Sequence, residues 1–303
     1  MIDITFKRHA KVIIVGEHAV VRGYPGIVVP HQHLNITCRY QSHLPHERIG
    51  NCHKTQWVLD QHFDTIWKIV QIHFNQPRVP LKGTLTVENH IPIALGCGFS
   101  AAFSVVIAEL GCHVYNMHPS DETIYHLAKK LEDHFHGKSS GIDIAGVIHS
   151  SPIYYRGQDE IEHIKMAFDG YFYLCHSNEV SPTKQCVNAV EKMHAPKIDE
   201  QMAIATGLVR SGLTLSGVDG ILLVEEGIKM ANECFKSWQL MTPQLDELSH
   251  TMSQMGAVAT KVTGAGGGGL MLGLWEKPLK QLPKNWMPLS LETPKLAVQE
   301  MIA

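Results

Sequence analysis

Short apolar runs and long amphipathic stretches alternate along this chain. KVIIV (Lys11–Val15) reads as a buried strand, interrupted by Gly16, Glu17 and His18. Ile27–Pro30 and Leu34–Tyr40 predict two more strands. In the second, Leu34, Ile36, Cys38 and Tyr40 alternate with Asn35, Thr37 and Arg39, which buries one face. Residues 42–56 are polar and turn-rich, as in a loop. Phe63, Ile66, Trp67, Val70 and Phe74 have helical spacing. Thr84–Val87 predicts a strand, and a glycine-rich stretch then leads into a helix from about Ser100 to Tyr115. Ser120 caps a helix that runs to about His134, with Asp121 and Glu122 in its first turn. Tyr171–His176 predicts a strand. Four helical patterns follow, over Lys184–His194, Asp199–Leu215, Val218–Leu240 and Pro243–Met255. Two strands, Ala257–Val262 and Leu270–Trp275, then flank TGAGGGG. Composition shifts near 157–170, which divides the chain into two α+β units, 1–165 and 166–303.

Composition narrows the function classes. The 303 residues are 44% hydrophobic and 18% charged, as in a globular protein. The net charge of −3 gives no basic excess for nucleic acid or an anionic membrane. No apolar run approaches the ~20 residues of a membrane span. The N-terminal stretch lacks a signal-peptide layout. Seven scattered cysteines with no CxxC pair point to reduced thiols in a cytoplasmic protein. His31 with His33, and His43 with His46, lack partners at zinc-site spacing and read as surface histidines.

The chemistry centres on IPIALGCGFSAAFSV (91–105). No lysine follows Gly98, so this is not a Walker A loop. Gly96, Gly98 and Ala101 meet the dinucleotide fingerprint formally, but Pro92 breaks the strand that should precede it. A third reading stands without a lysine. Backbone N–H groups of Gly96, Cys97, Gly98, Phe99 and Ser100, with the free N–H groups at a helix start, form an anion cradle. Ala101 and Ala102 keep the first turn low, and the Ser100 hydroxyl lies where Mg²⁺ would be.

Five stretches resemble the GHMP kinases, and within them the branch that phosphorylates mevalonate: KVIIVGEHAVVRGYPGIVVP (11–30), the loop just described, LEDHFHGKSSGID (131–143), SPTK (181–184) and KVTGAGGGGLMLGL (261–274). The resemblance implies an α+β, two-domain fold. Its N-terminal half is like ribosomal protein S5 domain 2, and its C-terminal half is ferredoxin-like. ATP and a small-molecule substrate would meet in the cleft between them, in a homodimer.

It also implies roles. Asp143 matches the catalytic aspartate, which accepts the C5 hydroxyl proton of mevalonate. Alone, it reads as a cap on a short helix, Ile142–Ile148. Lys11 matches a lysine that favours the ionised aspartate and the developing alkoxide. Alone, it reads as a solvated lysine at a strand start. Glu132 matches the metal-binding glutamate that shares Mg²⁺ with Ser100, while Asp133 should face elsewhere. Glu17, His18 and Thr183 match substrate-holding positions, and Gly264, Ala265 and Gly266 match the third motif. The sequence departs from the family at Ala94, Phe99, Ser139 and Ile144. Those departures leave room for another small hydroxy acid or sugar as substrate, or for a non-catalytic sensor. Lys11, Ser100, Glu132 and Asp143 are all retained, which counts against the sensor.

Overall fold

The computed structural model describes residues 2–42, 61–76, 81, 84–93 and 95–291. Strand β1 (Asp3–Val15) changes character halfway along. Its first residues alternate exposed and half-buried, whereas Ala10 to Val15 are all buried. Helices α2 (Phe99–Val114) and α4 (Ile142–Ile148) pack against β1, and Gly146 of α4 lies on Lys11 and Val28. The strand thus begins well before KVIIV, and Lys11 sits in mid-strand, 2% exposed. It is not a solvated lysine.

The two strands expected over 27–40 are one, β2 (Gly26–Gln41). It pairs antiparallel with β1, and the register jumps from His9↔Asn35 to Ala10↔His31. The jump leaves Gln32, His33 and Leu34 as a bulge, which kinks a strand without ending it. His31 at this bulge is buried, contrary to the surface reading, and its ring meets that of exposed His33 edge-on.

β3 (Thr84–Asn89) and β4 (Ile153–Tyr155) also pair with β2, and β5 (Ile161–His163) pairs with β4, completing a five-stranded antiparallel sheet. α1 (Gln61–His73) and α3 (Asp121–His136) complete this half. Ser120 caps α3 as expected, its Oγ accepting from the Thr123 amide at 3.2 Å. The loop expected over 42–56, along with His43, His46 and Ala94, lies outside the described residues, save Ser42.

The second sheet has the order β7 (Ala259–Thr263), β8 (Leu270–Trp275), β6 (Tyr171–His176), β9 (Trp286–Leu289), all antiparallel. Helices α5 (Thr183–Met193), α6 (Pro196–Leu213), α7 (Gly217–Ser237) and α8 (Pro243–Gln254) belong to this half; α7 and α8 pack on its sheet, and α6 packs on α7 and reaches β1 and β2. Polar links tie the two sheets' layers together. Thr263 Oγ1 donates to the Ile13 carbonyl at 2.8 Å. Arg22 grips Asp199 of α6 with two guanidinium nitrogens, the Nε contact being 2.5 Å. Among the described residues, six cysteines are buried and unpaired, and no helix is long and apolar enough to cross a membrane.

Candidate active site

A cleft of about 530 Å³ opens between the two halves, and most residues singled out from sequence line it. Lys11, Glu17, His18, Gly96, Gly98, Phe99, Ser100, Glu132, Asp143, Thr183, Gly264 and Ala265 all reach it. Cys97, Ala101 and Gly266 do not. Cys97 is turned into the core, where burial pushes its thiol up to about 11. Its carbonyl accepts from the Lys11 amide at 3.1 Å. Ala101 is fully buried beneath the helix start. The Gly266 carbonyl is taken by Ser181 Oγ at 2.7 Å. These three shape the site from behind.

The glycine loop at 96–98 leads directly into helix α2, as expected. Gly98 precedes α2 with φ 79°, a left-handed conformation that suits glycine. A Cβ there would also stand 2.5 Å from Lys11 Cε, so the missing side chain makes room for the lysine. Ahead of it, Gly96 approaches the C-terminal half, where a Cβ would come within 3.3 Å of the Thr263 carbonyl. Helix α2 therefore begins at the cleft with its free N–H groups available to an anion. Phe99 takes its place in the wall, stacked on Phe103 with ring centroids 6.2 Å apart.

Lys11 connects the loop to the carboxylate behind it. Its Nζ is 2.5 Å from Asp143 Oδ1 and donates to the Gly96 carbonyl at 3.3 Å. Asp143 lies in the first turn of α4, where the helix dipole favours a negative charge, and its side chain is 36% exposed toward the cleft. The helix cap is Gly141, so Asp143 is free of the capping role. The turn before it is fixed by a relay: Tyr125 and Tyr155 hydroxyls meet at 2.7 Å, and Tyr155 donates to the Ser140 carbonyl at 2.8 Å.

Glu132 and Ser100 come together from two helices, with Ser100 Oγ donating to Glu132 Oε1 at 3.0 Å. Burial, and then the negative charge of Asp143, push the Glu132 carboxyl up to about 8. Asp133 faces elsewhere, as expected. It accepts from the Ser139 amide and hydroxyl, both at 2.7 Å, and from Lys129 at 2.9 Å. Burial pushes Asp133 up, but these contacts outweigh it and hold the carboxyl below its ordinary value.

Glu17 and His18 reach the cleft with their polar ends committed inside the protein. Glu17 Oε1 accepts from Lys261 Nζ at 2.5 Å, and both side chains are buried. Burial pushes Glu17 up and Lys261 down, and their attraction opposes both shifts. His18 has a left-handed φ of 60°. Burial lowers its pKa to about 4, so the ring is neutral at pH 7. Its Nε2 bonds the Ala265 carbonyl at 2.9 Å, and its ring meets those of Trp238 and Phe235 edge-on. Both residues thus brace the third-motif loop as well as lining the wall.

Sequence reasoning missed Lys261 and His136. A lysine in a strand of wholly buried residues signals a buried counter-ion, and Glu17 was the group in need of one. His136 follows Glu132 by four residues, one helical turn, which put it within reach of the same atoms.

The chain is similar to known proteins in sequence and in fold. Residues 62–151 match the family model described as GHMP kinases N terminal domain. A mevalonate kinase of Archaeoglobus fulgidus is 28% identical over 273 residues, covering 88% of this chain and 92% of that protein. A mevalonate kinase of Aeropyrum pernix is 26% identical over 291 residues, covering 88% and 87%. The crystal structure of L. major mevalonate kinase in complex with R-mevalonate superposes with a TM-score of 0.72 at 20% identity, covering 90% of this chain and 87% of that one. The chain has the α+β fold of the GHMP kinases.

Proposed function

We propose that this chain, a GHMP kinase, transfers the γ-phosphoryl group of ATP to the C5 hydroxyl of (R)-mevalonate, giving 5-phosphomevalonate and ADP. The observation that carries the chemistry is the Lys11–Asp143 contact of 2.5 Å at the foot of an anion-binding helix start. The acceptor comes from the relatives, which are named mevalonate kinases and match most of the chain.

Each residue has a derivable task. Asp143 accepts the hydroxyl proton of the acceptor as the new P–O bond forms. Lys11 places one positive charge between that carboxylate and the Gly96 carbonyl, where it stabilises the alkoxide and draws the loop toward the base. The α2 N-terminus receives the phosphates. Ser100 and Glu132 fit a magnesium ion, because hydroxyl and carboxylate oxygens converge at 3.0 Å and the carboxylate is buried with another negative group nearby. Magnesium, when bound, supplies charge neutralisation on the β- and γ-phosphates. Glu17, His18, Thr183, Gly264 and Ala265 enclose the acceptor. Residues 1–165 and 166–303 act as the two domains that form the cleft. The six cysteines among the described residues, buried and unpaired, support a cytoplasmic setting.

The test is ADP release by the purified protein with Mg-ATP and (R)-mevalonate, beside Asp143→Ala. We expect turnover, and a loss of about 10²–10⁴-fold in the variant. Turnover with another hydroxy acid or a sugar, but none with mevalonate, would sink the acceptor while keeping the mechanism. Equal turnover in both proteins would sink Asp143 as the base.

A further inference from the structure

The pairing of Ser100 with Glu132 leaves one close neighbour without a task. His136 lies one turn beyond Glu132 on the same face of α3. Its Nε2 is 2.9 Å from Ser100 Oγ and 3.5 Å from Glu132 Oε1, and those two oxygens are themselves 3.0 Å apart. Three donor atoms from two helices therefore form a compact triangle. Ligands on adjacent corners of an octahedron with bonds near 2.1 Å stand about 3 Å apart, so the triangle has the size of one face of a metal's coordination shell. The His136 side chain is 32% exposed and opens to the cleft, so a cation arriving with a nucleotide reaches it without rearrangement of the core.

The ring does not serve the loop after α3. That task falls to Asp133, which binds the Ser139 amide and hydroxyl and is itself held by Lys129. A glutamate and a histidine four residues apart on a helix are a natural two-pronged grip for a divalent cation. Among the described residues, no three His, Cys, Asp or Glu side chains gather as a metal cluster, and the set here has two of them with a serine hydroxyl.

We propose that His136 Nε2 is a third protein ligand, with Ser100 and Glu132, of the divalent cation at the phosphates. The proposal rests on reading Ser100 and Glu132 as the metal-holding pair. An imidazole ligand has a consequence that oxygen ligands lack: it shifts preference from Mg²⁺ toward later divalent metals such as Co²⁺.

The experiment is pulsed electron paramagnetic resonance on the whole protein, labelled with ¹⁵N-histidine and loaded with Mn²⁺ and a non-hydrolysable ATP analogue. We expect a ¹⁵N coupling from a directly bound imidazole in the wild type. It should vanish in His136→Gln, with Co²⁺ affinity relative to Mg²⁺ falling roughly tenfold. The wild-type spectrum needs no variant to fold. Mn²⁺ binding that weakens in Glu132→Gln but shows no wild-type ¹⁵N coupling would overturn His136 as a ligand and leave the metal pair standing. Mn²⁺ binding indifferent to Glu132→Gln would overturn both.

Discussion

The two glycine-rich loops have similar composition and meet in space, yet they do different physical work. The first, around Gly96–Ser100, opens into a helix and leaves backbone donors facing the cleft. The second, Gly264–Gly269, opens into a strand and turns most of its glycines inward. Gly264 is where they meet, because a Cβ there would stand 3.4 Å from Gly96 Cα. Beyond it, Gly266 packs under Leu240, and Gly267 sits against Cys186 and Pro182. Ser181 and Cys186 both bond the Gly266 carbonyl. Glycine in the first loop makes room for a lysine at the mouth of the cleft; in the second it mostly makes room for the rest of the protein.

The difference is sharpened most by removing what anchors the second loop. Lys261→Met takes the counter-ion from buried Glu17, and we expect a stability loss of about 3–5 kcal/mol in urea titration. An unchanged midpoint would mean that the pair does not tie the strand to the N-terminal half.

A matched pair of substitutions comes next in size. Gly267→Ala must hold φ 66° with its Cβ 2.8 Å from Cys186 Sγ. It should cost about 1–3 kcal/mol in stability and leave the specific activity of the folded protein close to wild type. Gly98→Ala must hold φ 79° and pushes on the buried stem of Lys11, so its stability cost should be similar, while its turnover falls at least as far as any other loop variant. If the two variants exchanged these behaviours, the division of labour between the loops would be wrong.

The smallest effect belongs to Ser181→Ala, which removes one hydrogen bond to the second loop. Thermal denaturation should show a loss of about 1 kcal/mol. A collapse of activity at full stability would instead place Ser181 on the ligand side.

Much of this site was legible in the sequence because its motifs are local. The helix starts near Ser100 and at Asp121, and the TGAGGGG turn, obey rules that operate within a turn or two, while likeness to a family picked Glu132 over Asp133. What failed shows where local rules stop. The break at 31–33 looked like the end of a strand, but pairing with β1 carries β2 through it. The three-residue strands β4 and β5 have no periodicity to read; β4 exists because β2 offers it an edge, and β5 because β4 does. Cys97 and Gly266 lie within motifs, and only packing turns them from the cleft.

The sequence by itself determined most of the longer elements, the glycine loops and the α+β class, since these follow from periodicity, capping and short-range spacing; likeness to a family singled out the residues suited to phosphoryl chemistry. The tertiary structure decided which charges meet. Lys11 and Asp143 are far apart in the chain, as are Glu17 and Lys261, and each pair is brought to 2.5 Å only when helices and sheets bury their apolar faces together. Whether a charged side chain is solvated, paired or catalytic depends on the water removed around it and on the partner left behind, and both are properties of the folded chain.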